Sequence, residues 1–203
     1  MGVAFFPNGV LINCKNTMPQ SPKTTAEAYQ FVIGKCKEVF LKKSRDYGTS
    51  WQILRLPSVT DQLYIKAQRI RGIEETGINK VGDEVDTEYL GIINYCVIAL
   101  LLMKFKESPV ADSEGELSEE SLSNLYNQVT QSTFELMENK NHDYGEAWRE
   151  MRISSLTDMI LTKLMRLKKI EDNQGALLIS EGPEGSYMDI LNYSVFALIR
   201  LWG

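Results

Sequence analysis

Several common chemistries are scarce in this 203-residue chain. Cysteine occurs three times, at Cys14, Cys36 and Cys96, and no two are spaced C-x-x-C. A disulfide framework or thiolate metal site is therefore not expected, and reduced thiols fit a cytoplasmic protein. His142 is the only histidine, which removes His-rich zinc sites and leaves a Ser-His-Asp triad a single candidate base. Positive charge is outnumbered: 22 Lys and Arg against 27 Asp and Glu give a net charge of −5. That balance argues against a protein that wraps long nucleic acid through phosphate contacts. The longest apolar run, Tyr95 to Met103, is about half of the ~20 residues that spanning a bilayer requires, so no membrane is expected. The N-terminal residues lack a basic stretch ahead of an apolar one, which argues against a secretory signal. Residues 1–23 hold three prolines and no helical period. They read as an irregular arm, most of which a start at Met18 would remove.

What is present is a repeat. Residues 44–75 align with residues 141–172 at an offset of 97, with twelve of 32 positions identical. At an offset of 98 the match resumes, pairing Asn94-Tyr95 with Asn192-Tyr193. A unit this long is a duplicated domain rather than a solenoid repeat. The polar, Pro- and Gly-containing stretch 107–117 reads as the linker between repeat 1 (24–106) and repeat 2 (118–203). Apolar residues recur at helical spacing, as in Val59, Leu63, Ala67 and Ile70, and no hairpin signal occurs. The expected fold is all-α: two tandem homologous helical domains forming a pseudo-two-fold bundle. Each half should have three helices, about 25–43, 58–75 and 86–105, then 118–140, 155–172 and 186–202. The apolar faces would also permit a homo-oligomer.

Most matched identities are polar, whereas core packing alone would retain Leu, Ile and Val. The first motif, K-x-x-D-Y-G-x-x-W, places Asp46 and Trp51 in half one and Asp143 and Trp148 in half two. It reads either as a helix C-terminus with a glycine cap, or as a nucleotide contact in which an aromatic ring stacks on a base. In the second motif, Ser58 and Asp61, like Ser155 and Asp158, have capping-box spacing. Lys66 and Arg69, and Lys163 and Arg166, share one helical face. They suit a phosphate, or else a solvated face or salt bridges. In the third motif Asp83, Glu84, Asp86 and Glu88, and Glu181, Glu184 and Asp189, surround the start of the last helices. Such acids complement a helix dipole or share a divalent cation. Asp189 lies deeper, and half two also carries Glu135 and Glu138 at E-x-x-E spacing. Glu135, Glu138 and Asp189 are thus the candidate magnesium ligands.

Asp46-Tyr47-Gly48, Trp51, Asp61, Lys66, Arg69 and Asn94-Tyr95, with their half-two counterparts, resemble the nucleotide-modification-associated domain family, which often occurs in tandem. The resemblance covers about residues 26–202 and implies a role in nucleotide metabolism. More distantly, the helical layout resembles the MazG-like all-α nucleoside triphosphate pyrophosphohydrolases, which hold magnesium with an E-x-x-E and an E-x-x-D pair. Glu135 and Glu138 match the first pair and Asp189 the Asp of the second, while Ser186 stands where its Glu should be. In half one Glu88 matches that Glu and Gly91 replaces the Asp. The resemblance implies a nucleotide-binding protein with Lys66, Arg69, Lys163 and Arg166 on phosphates, and Trp148, Asn192 and Tyr193 on sugar or base. It would be either a magnesium-dependent pyrophosphohydrolase or a non-catalytic nucleotide-sensing or protein-interaction module.

Overall fold

The computed structural model describes residue 18 and residues 24–107, 117–173 and 182–203. The expected arm at 1–23, apart from Met18, lies outside the described residues, as do Cys14, Glu181 and 108–116 of the expected linker. Six α-helices and no strand occur among the described residues: α1 (Thr25–Tyr47), α2 (Leu56–Thr76), α3 (Val85–Glu107), α4 (Glu119–Tyr144), α5 (Ile153–Asp172) and α6 (Pro183–Trp202). Short 3-10 turns at Ser50–Ile53 and Ala147–Glu150 link the first two helices of each half. The halves therefore repeat helix for helix, as the 97-residue offset predicts.

α3 and α6 pack on each other; α2 and α5 cover them, and α1 and α4 also pack on both. This layering follows from composition. α3 and α6 are apolar nearly all round, from Ile92 to Leu101 and from Ile190 to Ile199, and such helices belong inside. The outer helices bury one stripe each, for example Val59, Leu63, Ala67 and Ile70 of α2. α3 is longer than the uninterrupted apolar run suggests. Residues 85–106 are long and apolar enough to cross a bilayer, but 67% of their most apolar stretch is buried inside the bundle.

α1 opens with Thr24 accepting the Glu27 N–H at 3.2 Å, and α4 with Ser118 accepting the Ser121 N–H at 3.1 Å. The capping-box reading of Ser58 and Asp61, and of Ser155 and Asp158, is corrected. α2 and α5 begin two residues earlier, after Arg55 and Arg152, and neither has a side-chain cap. Pro57 fits the first turn of α2 because it has no N–H to leave unpaired there. The aspartates instead face the other half: Lys168 Nζ lies 2.6 Å from Asp61, and Arg71 Nη1 lies 3.7 Å from Asp158.

Polar pairs inside the core also cross between halves. Tyr29 of α1 donates to Asn192 Oδ1 at 2.8 Å, and Tyr126 of α4 donates to Asn94 Oδ1 at 3.0 Å. Thr60 meets Glu171 and Tyr187, and its counterpart Thr157 meets Glu74 and Tyr89. A buried hydroxyl or amide must find such a partner or lose the hydrogen bond it had in water.

Candidate functional site

In half one, α2 turns Lys66 and Arg69 toward the first turn of α3. Glu88 stands there, its side chain 10% exposed. Lys66 Nζ lies 2.9 Å from Glu88 Oε2, and Arg69 Nη1 donates to Glu88 Oε1. Nη2 of Arg69 donates to Asn79 Oδ1 at 3.0 Å and to the Asp83 carbonyl at 3.1 Å, which ties the guanidinium to the α2–α3 connection. Lys43, at the end of α1, closes the group. Lys43 is exposed as a residue, yet its pKa falls below the ordinary lysine value. Burial of the ammonium contributes most and the Lys66 charge next, against the opposing pull of Glu88. Gly91 follows Glu88 by one turn. A Cβ there would lie 2.9 Å from Lys66 Cε, so the glycine makes room for the lysine stem.

Half two builds the same group with its carboxylate moved. Ser186 replaces Glu88, and Asp189 replaces Gly91. Asp189 takes Lys163 Nζ on Oδ2 at 2.6 Å and Lys140 on Oδ1. Arg166 donates to the Ser186 hydroxyl, which is 1% exposed. Tyr193 and Tyr144 border the group. The Tyr193 hydroxyl is pushed up first by burial and then by the Asp189 charge, with Lys140 opposing. Tyr144 is 73% exposed. Each half thus gathers two lysines, an arginine and one carboxylate, with the arginine on the carboxylate in half one and on Ser186 in half two.

The other expected site residues are distributed differently. Asp46 and Asp143 are exposed at the ends of α1 and α4, and Asp143 pairs with His142 at 3.2 Å. Trp51 and Trp148 are buried. Trp51 stacks on Phe105 and Trp148 on Phe196, the latter at 4.3 Å between centroids. Both indole N–H groups lack an acceptor among the described residues. Asn94 and Asn192 lie in the core, their amides spent on Tyr126 and the Cys36 carbonyl, and on Tyr29 and the Thr133 carbonyl. Tyr95 is buried. Glu135 and Glu138 are exposed on α4, and Glu135 accepts from Gln131.

The three expected magnesium ligands do not form a set. No group of three metal-ligating side chains occurs among the described residues. Both Asp189 oxygens face lysine ammonium groups, Lys140 on one and Lys163 on the other.

Lys43, Lys140, Glu88 and Ser186 belong to the site as much as the expected Lys/Arg pairs do. Lys43 and Lys140 were visible in the first motif as a matched pair. The Glu88/Gly91 to Ser186/Asp189 exchange emerges only when both columns are read together. Two shallow clefts lie elsewhere, one lined by Leu100, Gln128 and Met188, the other by Pro57, Asp61 and Lys168.

A family model described as nucleotide modification associated domain 1 matches the chain twice, at residues 43–103 and 140–201. Each match begins at or beside the lysine that closes a cluster and ends in the last helix of its half. No curated protein and no solved structure matches the chain.

Proposed function

Since the chain belongs to the nucleotide modification associated domain 1 family, we propose that it binds a nucleotide through the phosphates. The observation that carries this reading is the recurrence, at matched positions, of two lysines and an arginine gathered beside a carboxylate. Burial, and after it the neighbouring Lys66 charge, lower the pKa of Lys43, and an arriving anion would offset both. Guanidinium and ammonium donors at one partly buried place suit phosphate oxygens. Tyr47 and Tyr144, exposed and each four residues beyond the lysine of its cluster, would offer aromatic faces for a base.

No catalytic step follows from these residues. With Asp189 held by two lysines, binding draws its positive charge from the protein and needs no divalent ion. The reading is therefore of a nucleotide-binding module rather than a magnesium-dependent pyrophosphohydrolase. The test is thermal denaturation of the full chain with ribo- and deoxyribonucleotides, each with and without magnesium. A ligand at 100 times its dissociation constant adds about 2.7 kcal/mol. At this chain length each kcal/mol moves the midpoint by about 2–4 °C. The expected result is a rise of several degrees with at least one nucleotide, unchanged by a chelator. A flat response to every nucleotide sinks the proposal, and a rise that vanishes with the chelator returns the metal to the mechanism.

A further inference from the structure

The cleft between α3, α4 and the start of α6 is open, and its copy in the other half is filled. The first helices of the two halves correspond at an offset of 97 and the last helices at 98. Tyr29 and Tyr126, which bond Asn192 and Asn94 in turn, fix the same correspondence in space. Leu100 then matches Leu198, Val129 matches Val32 and Met188 matches Leu90, so the walls are apolar in both places. Glu184 in the first turn of α6 matches Asp86 in the first turn of α3. Two positions differ. Trp202 stands where the open cleft has Lys104, and Phe31 where it has Gln128. In the filled copy the Trp202 ring is 8% exposed and meets Phe31 edge-on, with centroids 6.3 Å apart. Its indole N–H donates to Asp86 Oδ2 at 2.9 Å. In the open copy Lys104 Nζ donates to Gln128 Oε1 at 2.7 Å, and both residues are exposed. Glu184 is exposed too, with no hydrogen-bond or ion-pair partner among the described residues.

From this pairing of an open cleft with a filled one we infer that the cleft docks a tryptophan side chain of another polypeptide, with the indole N–H donating to Glu184. The site is separate from the Lys/Arg clusters and does not depend on nucleotide binding. Three features select this occupant. The filled copy holds an indole between walls of the same kind, with a carboxylate at the matching position to take its N–H, which a buried donor requires. The cleft is shallow and holds about 250 Å³, below the ~300–1,000 Å³ of pockets that enclose a free small molecule. It fits one inserted ring whose remaining contacts lie on the surface around it, and tryptophan is among the side chains that anchor interfaces in this way. Lys104 and Gln128 are exposed at the rim and give up only their mutual bond, so both can turn to the backbone carbonyls of the incoming chain.

The probe is N-acetyltryptophanamide, which carries the side chain between two peptide groups. It is titrated into the full chain by ligand-observed NMR, beside its analogue methylated on the indole nitrogen, N-acetylphenylalaninamide and free indole. The expected result is saturable binding of N-acetyltryptophanamide. Binding should be about tenfold weaker for the methylated analogue, and for the natural probe on Glu184→Ala, because each loses a hydrogen bond to a charged acceptor. The double variant Lys104→Trp with Gln128→Phe copies the filled set into the cleft. It should abolish binding and raise the thermal midpoint, a gain that misfolding cannot produce. Binding unchanged in the double variant and in Glu184→Ala places the probe elsewhere and overturns the site. Equal affinity for the methylated or phenylalanine probe overturns the choice of tryptophan. Free indole binding more tightly than the amide overturns the polypeptide source in favour of a small molecule. No saturable binding of N-acetyltryptophanamide to the natural chain overturns the docking site altogether.

Discussion

Glu74 and Glu171 show how single residues serve the junction between halves. Each accepts a threonine hydroxyl from the other half, Thr157 at 2.8 Å and Thr60 at 2.6 Å. Burial raises the pKa of both carboxyls above the ordinary glutamate value, more than the threonine bonds lower it. The folded chain then binds more protons than the unfolded one between the ordinary and the raised value. Their contribution to stability is complete below the ordinary glutamate pKa and is lost as pH rises through the folded pKa. The expected outcome is that Glu171→Gln flattens this slope and keeps the Thr60 bond through its amide oxygen. Urea midpoints at several pH values check it; an unchanged slope shows that the burial has no such effect. These glutamates were visible in the sequence as a matched pair, but not their use. A pair matched at one offset looks the same whether its partners lie in its own half or in the other.

At the scale of elements, the helices were legible and their ends less so. Apolar periodicity located α2, yet the Ser-x-x-Asp pattern pointed to a start at Ser58, two residues late. The serine lies inside the helix and the aspartate pairs across the halves. The D-Y-G ends were clearer, because a glycine there answers a backbone need. Gly145 has φ 60° and ψ 40°, the left-handed region, and donates its N–H to the Asn141 carbonyl at 2.9 Å. Gly48 has φ 64° and ψ −154°, a region that essentially only glycine visits. The two identical motifs should thus respond unequally. Gly145→Ala should cost about 1–2 kcal/mol, Gly145→Asn less, and Gly48→Ala the most. Thermal melts of the three variants give the order, and equal losses at the two glycines contradict it. The Lys/Arg pairs were likewise legible from one helix face. Their differing anchors were not, because the carboxylate moves by a turn on another helix.

For the whole molecule, the decisive fact is that neither half completes its own core. Asn94 depends on Tyr126, Asn192 on Tyr29, and each threonine on the opposite glutamate. The layer formed by α3 and α6 is buried by helices from both halves. The full chain should therefore unfold in one transition, and a fragment covering 24–107 should not fold as a monomer. Calorimetry of the chain and circular dichroism of the fragment at several concentrations decide this. Two separate transitions, or a folded monomeric fragment, would show that the halves are independent domains. The repeat made the duplication plain in the sequence, but the spacing of a repeat along a chain carries no information on how its copies interlock.

The exchange of Glu88 and Gly91 for Ser186 and Asp189 has a consequence for how such a protein can change over time. Two identical chains assembled around a two-fold axis inherit every substitution twice, so a carboxylate shifted in one copy is shifted in both. Joined end to end, the copies become separate stretches of one gene. Each can then set its carboxylate where its own neighbours favour it, as Glu88 and Asp189 have been set one helical turn apart.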